Sequence, residues 1–461
     1  MRCLRWIYGI FLGVGLTMEF GGMAFAQVGV SPAKTLEERV LELEKEVRLL
    51  KRLLEVNQEI QIKKEVETPV VAAGKEGFVL KSKDSSFQLK LKGRVQADGR
   101  YYIADDTAPG SNTYLLRKVR PILEGTLFKY FDFRLMPDFG GGTTSLQDAF
   151  IDCKYWTEAS LRLGKFKGPV GLERLQSDAY NLFPELSLVS NLVPNRDVGI
   201  DLHGDFFDSA LSYDVGVFNG SADGSSNDTD IHDDKDLEAR LFALPFKNTS
   251  EDWLNGLGLG VGGSLGEVHG TTASPSMPTF RTFGQQAFFS YRSDGTVPGT
   301  TIAAGRRYRI VPQFYYYYGP VGVLGEYAYS SQEAKRGNSR CEVENTAGQI
   351  AFSYVLTGEN ASYNGVIPRD SFDPRNGKWG GFEIATRFSW LAADYGDVKS
   401  YSNLLNSSDD AVAWGVGLNW YLNKNLKFST AFEETFFDAG SANGKDRETE
   451  NALITRLQSV F

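Results

Sequence analysis

The chain has 461 residues, a formal net charge of −9 and a mean hydropathy of −0.28. Beyond the N-terminus no apolar run approaches the ~20 residues that a membrane-crossing helix needs, which excludes a helical membrane bundle. Aromatic residues nonetheless make up 13% and glycines number 49, which suits strands whose every second residue is polar.

The chain opens as an export signal. Arg2 and Arg5 form a basic start, an apolar stretch runs from Trp6 to Met18, and Ala24-Phe25-Ala26 supplies a small-x-small cleavage pattern. Residues 1–26 are read as a removable signal peptide, with a membrane anchor as the competing reading. Cys3 falls in the signal. Cys153 and Cys341 lie far apart with no CxxC, so no disulfide framework is indicated, and a single long-range bridge stays open. Cys153, in FIDCKYW, reads as a small hydrophobe on an apolar face.

Next, Leu36, Val40, Leu43, Val47, Leu50 and Leu54 recur at alternating steps of four and three. The spacing predicts a helical coiled coil over 35–61, with charged residues on its other faces. Thr35 and Glu38 resemble a capping box. Asn57 and Gln61 continue the seam with polar groups, and Pro69 ends it. At about three heptads the helix is marginal alone, so association with its copies is expected. Val and Leu in the seam lean towards two strands; an amphipathic helix lying on another surface is the alternative. Residues 62–77 read as a linker.

From about Phe78 the period becomes two. In KLKGRVQADGRYY, Lys90, Lys92, Arg94, Gln96, Asp98 and Arg100 share one face, and Leu89, Leu91, Val95, Ala97 and Tyr101 the other. YFDFRLMPDF, FEIATRFSW, AWGVGLNWYLN and ALITRLQSVF alternate in the same way, the last with Leu453, Leu457 and Phe461 on its apolar face. A soluble sandwich has the same period. Aromatic residues near strand ends and charges on the polar face point instead to an all-β, antiparallel transmembrane barrel over 78–461 with a wet lumen. Connections alternate between short ones, such as 128–130, 319–320 and 423–425, and long polar ones, such as 104–113, 220–236, 270–279 and 401–410. At roughly 24 residues per strand and connection, about 16 strands are expected.

The stretches FQLKLKGRVQAD, YLLRKVRPILEGTLFKYFDFRLMPDFG, LRLGKFKGPVGLERLQS, LVSNLVPNRDVGIDLHG, YYYYGPVGVLGEYAYS, SYVLTGE, VGLNWYLN and RLQSVF occur in this order. Together they resemble the phosphate-selective porins of the O and P type, from about residue 77 to 461. The resemblance implies a 16-stranded homotrimeric porin of the outer membrane, in contact with lipid and lipopolysaccharide. It also implies passage of phosphate or polyphosphate along a lumenal ladder of Arg and Lys, past a constriction of infolded loops. The coiled coil lies outside the resemblance and is expected in the periplasm.

In such a pore the useful feature is a row of cations facing water at a narrow waist. Parity puts Lys90, Lys92, Arg94 and Arg100 on one inward row, Lys118 and Arg120 on the next strand, and Arg134 inward after them. Arg117 has the wrong parity, yet Arg117-Lys118 matches the paired basic residues of the family; a bulge would reconcile the two. Lys165, Lys167 and Arg174, in GKFKGPVGLERLQSDAY, fall where the family's constriction loop begins. The competing reading leaves Lys165 and Lys167 at lipid headgroups. Arg196, Arg240 and Arg309 are weaker candidates, paired with acids such as Asp197 or Glu238.

Other readings carry less. His203, His232 and His269 form no HExxH, and GLGLGVGGSLG has no Walker lysine. No enzyme activity, cofactor, metal site or nucleic-acid partner is therefore expected. The acidic run at 223–236 reads as a solvated loop. Tyr315 to Tyr318 offer a sugar-stacking track, although alternation turns two of the four to lipid. A general or sugar-permeable porin is one alternative function, and a secreted all-β binding or adhesion protein another.

Overall fold

The computed structural model describes residues 35–67, 69–74, 77–103, 110–229, 233–393, 400–402, 407–441 and 445–461. The expected signal peptide lies outside them. Helix α1 (Leu36–Glu67) forms a unit by itself. Its first turn carries the capping box: Thr35 N donates to Glu38 Oε2 at 3.0 Å, and Glu38 N to Thr35 Oγ1 at 3.4 Å. The apolar seam from Leu36 to Leu54 is exposed along the whole helix. The expected linker at 62–77 needs correction. Lys63, Lys64 and Glu65 favour helix, so α1 runs on to Glu67 and stops ahead of Pro69. Strand β1 (Val70–Gly74) and the start of β2 (Gly77–Lys81) fill the rest.

The second unit is the barrel. β1 pairs with β2, and β2 with the first residues of β3 (Gln88–Tyr102). There follow β4 (Thr113–Leu127), β5 (Phe131–Asp138), β6 (Ser145–Cys153), β7 (Ser160–Lys167), β8 (Arg196–Phe206), β9 (Leu211–Phe218), β10 (Asp236–Ala243) and β11 (Leu257–His269). A small hairpin, β12 (Thr279–Arg281) and β13 (Ala287–Ser290), stands apart from the barrel sheet. The wall resumes with β14 (Ile302–Tyr318), β15 (Val321–Arg336), β16 (Ser339–Val355), β17 (Gly381–Ala392), β18 (Ser408–Tyr421), β19 (Leu426–Ala439) and β20 (Glu450–Val460). Each wall strand pairs antiparallel with the next, and β20 pairs with β3. Sixteen strands, β3–β11 and β14–β20, therefore close a ring with no free edge.

The alternation sorts side chains as polarity demands. Leu135, Ile151, Leu161, Leu163, Ile200 and Val217 face outward and are exposed. Arg94, Gln96, Asp98 and Arg100 point inward and are buried. The connections at 128–130, 154–159, 207–210, 319–320 and 422–425 share one end, which short turns mark as periplasmic. Aromatic rings crowd that rim: Tyr130 packs on Tyr155, Tyr155 on Trp156, and Phe382 stacks on Trp420. The rhythm is not strict. Residues 244–256 and 356–380 make long periplasmic segments, and 337–338 a tight outer turn. Cys153 and Cys341 are not bridged to each other by a disulfide.

One outer connection, 168–195, folds into the lumen. It carries the short helix α2 (Leu172–Leu175) and a single 3-10 turn, Leu188–Asn191. Its Val170, Leu188, Val189, Leu192 and Val193 pack against Val311, Ala328, Val343, Ala347, Leu391 and Ala413 of the wall. At about 1.5–3 kcal/mol for each large apolar side chain buried, this contact holds the segment to the β14–β18 side. Two further connections brace it. Phe280, Phe288 and Phe289 of the β12–β13 hairpin join the same cluster. From below, Tyr363 Oη donates to Leu172 O at 2.6 Å, and Gln176 Nε2 to Tyr363 O at 2.6 Å.

Candidate functional site

With the infolded segment fixed to one side, the open space lies along the opposite wall, β3 to β8. There β4 has a bulge. Gln96 pairs with Lys118 and Ala97 with Leu116, so Arg117 is the extra residue. Both Arg117 and Lys118 consequently reach the infolded segment. The Arg117 guanidinium donates to Glu185 at 2.6 and 3.1 Å, and Lys118 Nζ lies 2.8 Å from Asp178.

The acids of that segment collect the wall's cations. Asp178 Oδ2 meets Arg94 at 3.3 Å, Lys118 at 2.8 Å and Arg120 at 2.5 Å. Glu185 meets Arg100 at 2.7 Å, Arg117 at 2.6 Å and Arg456 at 3.0 Å. Arg387 lies between Glu173 (3.3 Å) and Glu433 (2.6 Å). Burial would raise the pKa values of Asp178 and Glu185, but the surrounding cations outweigh it and hold both well below the usual carboxylate range.

Two cavities flank this contact. One, of about 610 Å³, opens towards the short-turn end between Lys92, Glu124, Arg134, Asp152 and Arg162. The other, of about 620 Å³, opens outward between Arg117, Gln147, Glu185, Ser225 and Arg281. Both are lined by Lys167, Asp178 and Arg196. That trio marks the waist. Lys167 Nζ donates to Gln176 O at 2.8 Å, and Arg196 Nε to Asp148 at 2.8 Å. Around it, Arg94, Lys118, Arg120, Lys167, Arg174 and Arg196 face three carboxylates, Asp138, Asp148 and Asp178. The waist thus carries an excess of positive charge inside an acidic molecule, and the local field is what a passing ion meets.

The other expected residues distribute around this centre. Lys90, Lys92 and Arg134 line the periplasmic cavity, with Lys92 at 2.6 Å and Arg134 at 2.9 Å from Glu124. Arg100 is buried on Glu185 and lines neither cavity. Arg174 lines the outer cavity and donates to Ser190 O. Lys165 is not brought to the waist: it pairs with Asp228 of the outer connection 219–235 and lines neither cavity. Arg196 pairs with Asp148 and not with its neighbour Asp197, which accepts instead from Val198 N and Gly220 N. Arg240 donates to Gln313 at 3.1 Å, and Arg309 pairs with Asp223 at 2.6 Å. The 223–236 run is thus not wholly solvated, since Asp223 and Asp236 are buried against Arg307 and Arg309.

Tyr315 and Tyr317 face the lumen, but Tyr315 stacks on Tyr363 beneath Leu172, and neither ring lines the two cavities. A row of cations, as the criterion, passes over Asp178 and Glu185, which are acids, and over Arg387 and Arg456, which stand singly on β17 and β20. Acids in SDAYNLFPE, within a segment expected to fold inward, were the available signal.

Comparison with known proteins matches this architecture. The family profile of phosphate-selective porin O and P matches residues 89–461. Porin O of Pseudomonas aeruginosa is 24% identical over 411 residues, 85% of this chain and 92% of that protein. The outer membrane channel DcaP of Acinetobacter baumannii superposes with a TM-score of 0.52 at 12% identity, over 85% of this chain and all of that one. The anion-selective porin from Comamonas acidovorans gives 0.51 at 12% identity, over 81% of this chain and all of that one. The chain is an outer-membrane β-barrel channel and belongs to the phosphate-selective porin O and P family.

Proposed function

We propose that the protein is an anion-preferring diffusion channel whose natural solute is phosphate or polyphosphate. The observation that carries this reading is the waist, where cations outnumber carboxylates between the two cavities. Guanidinium and ammonium groups there replace part of an anion's hydration, and arginine adds bidentate contact to phosphate oxygens. The functional unit is a homotrimer in lipid and lipopolysaccharide. Because the chain enters the barrel at the short-turn end, α1 belongs to the periplasmic side. In a parallel association of α1 helices through the exposed seam, Arg39 faces Glu44 and Glu46 faces Lys51 of the neighbouring copy, so opposite charges flank the apolar contact.

The test is recording from the purified protein in planar bilayers under a salt gradient. The expected result is a reversal potential on the anion side, chloride current blocked by added phosphate, and conductance steps in threes. Cation preference without phosphate block would remove the proposal.

A further inference from the structure

We propose that Asp178 is a tethered counter-ion: its carboxylate occupies the anion position of the waist, and a permeating oxyanion crosses by displacing it. This rests on the anion-channel reading above.

Three donors from two adjacent strands converge on one oxygen of Asp178: Arg94 Nη1 at 3.3 Å, Lys118 Nζ at 2.8 Å and Arg120 Nη1 at 2.5 Å. Arg94 Nη2 also donates to Ser177 Oγ at 3.0 Å. Such a cluster of charged donors is what a phosphate or carboxylate oxygen requires. The protein fills it with its own carboxylate, between the two cavities. Asp178 is the one carboxylate that lines both cavities; Asp148 lines only the periplasmic cavity, and Asp138 and Glu185 only the outer one.

The backbone around Asp178 is held without its side chain. Lys167 Nζ donates to Gln176 O at 2.8 Å, Gln96 Nε2 to Asp178 O at 3.3 Å, Gln458 Nε2 to Ala179 O at 3.0 Å and Lys427 Nζ to Asn181 O at 3.0 Å. Glu173 and Glu185 make further ion pairs on either side. The carboxylate is therefore not needed to keep the segment folded inward. Its effect is to compete: an anion's apparent affinity scales with the fraction of time the site is vacant. A multidentate oxyanion that reaches Arg94 and Arg120 together can replace it, and its return then helps the anion leave, as conduction requires.

The experiment measures phosphate block of chloride current in bilayers for the wild type, Asp178→Asn, Asp178→Ser and Asp178→Glu. The neutral variants should bind phosphate more tightly, by about tenfold if the carboxylate holds the site nine-tenths of the time, and should saturate at lower conductance. Asp178→Glu, which keeps the charge, should bind phosphate less tightly than either neutral variant. Unchanged or weaker phosphate affinity in the neutral variants would overturn the proposal. So would failure of both to assemble, since the carboxylate would then be a structural clamp. The anion reading is judged separately, by the wild-type reversal potential. Anion preference in the wild type with unchanged affinity in Asp178→Asn removes only the counter-ion.

Discussion

Lys165 and Lys167 stand two residues apart on β7 and have different surroundings. Gly164, at φ +134°, lies where an added Cβ would meet Ala149 O at 2.2 Å, and after it the strand delivers Lys165 to Asp228 and Lys167 to the waist. Replacing Lys167 by Gln should weaken phosphate block roughly tenfold, equivalent to about 1.4 kcal/mol, and move the reversal potential towards zero. Lys165→Gln should leave both unchanged. Recording the two variants side by side checks this. Parity made the inward cations legible from sequence, including the bulge that admits both Arg117 and Lys118. It could not reveal their partners. Asp178 and Glu185 lie 58 and 68 residues away in sequence from their partners Arg120 and Arg117, and only the fold brings them together. Their depressed pKa values set an acid limit. A carboxylate whose folded pKa lies below its unfolded one stabilises the fold above the unfolded value, and loses that contribution as pH falls through the folded value. Conductance should therefore hold from neutrality down to about pH 4, where free carboxylates begin to protonate, and change only in stronger acid. A change already at pH 6 would show that groups other than these two carboxylates titrate along the pore.

The infolded segment 168–195 shows why some elements resist reading from sequence. Its LSLVSNLV run has the composition of a buried strand, yet it forms a 3-10 turn whose Leu188, Val189 and Leu192 are covered by wall and hairpin. Local pattern marked the run as buried and left open what buries it. The long periplasmic segment 356–380 was equally hidden, because barrels generally place long connections outside; its Tyr363 supports α2 through its hydroxyl and its backbone carbonyl. Truncating Leu188 and Leu192 together to Ala removes two fully buried side chains, at about 2–5 kcal/mol each. The barrel wall retains its own hydrogen-bonded ring, so the loss should fall on the segment. Expected outcomes are larger and noisier conductance, lower anion preference, and faster proteolysis within 168–195 with the wall intact. An unaltered conductance would mean that the ion pairs to Asp178 and Glu185 suffice to fix the waist.

At the scale of the whole molecule, the ring depends on one long-range pairing, β20 with β3, which joins the two ends of the sheet. Strand count and all-β class were legible because two-residue alternation persists along the chain. Closure followed from the barrel reading as a whole, since no local pattern says which strands meet across more than 300 residues. At the seam, Gly93 N donates to Phe461 O at 2.7 Å, and Phe461 N to Gly93 O at 3.0 Å. The Phe461 ring covers Gly93, where an added Cβ would lie 2.3 Å from the ring edge. This is an aromatic ring filling the gap left by a strand glycine. Phe461→Ala strips a half-exposed ring worth about 1–2 kcal/mol, and Gly93→Val collides with the ring that remains. Each should lower the fraction of heat-modifiable, folded barrel on gels, while channels that do assemble conduct normally, because the contact lies outside the lumen. Combining the two removes the collision, so the double variant should fold better than the sum of the single losses predicts. Strict additivity would show that ring and glycine act separately, and that β20 finds β3 through its backbone ladder alone.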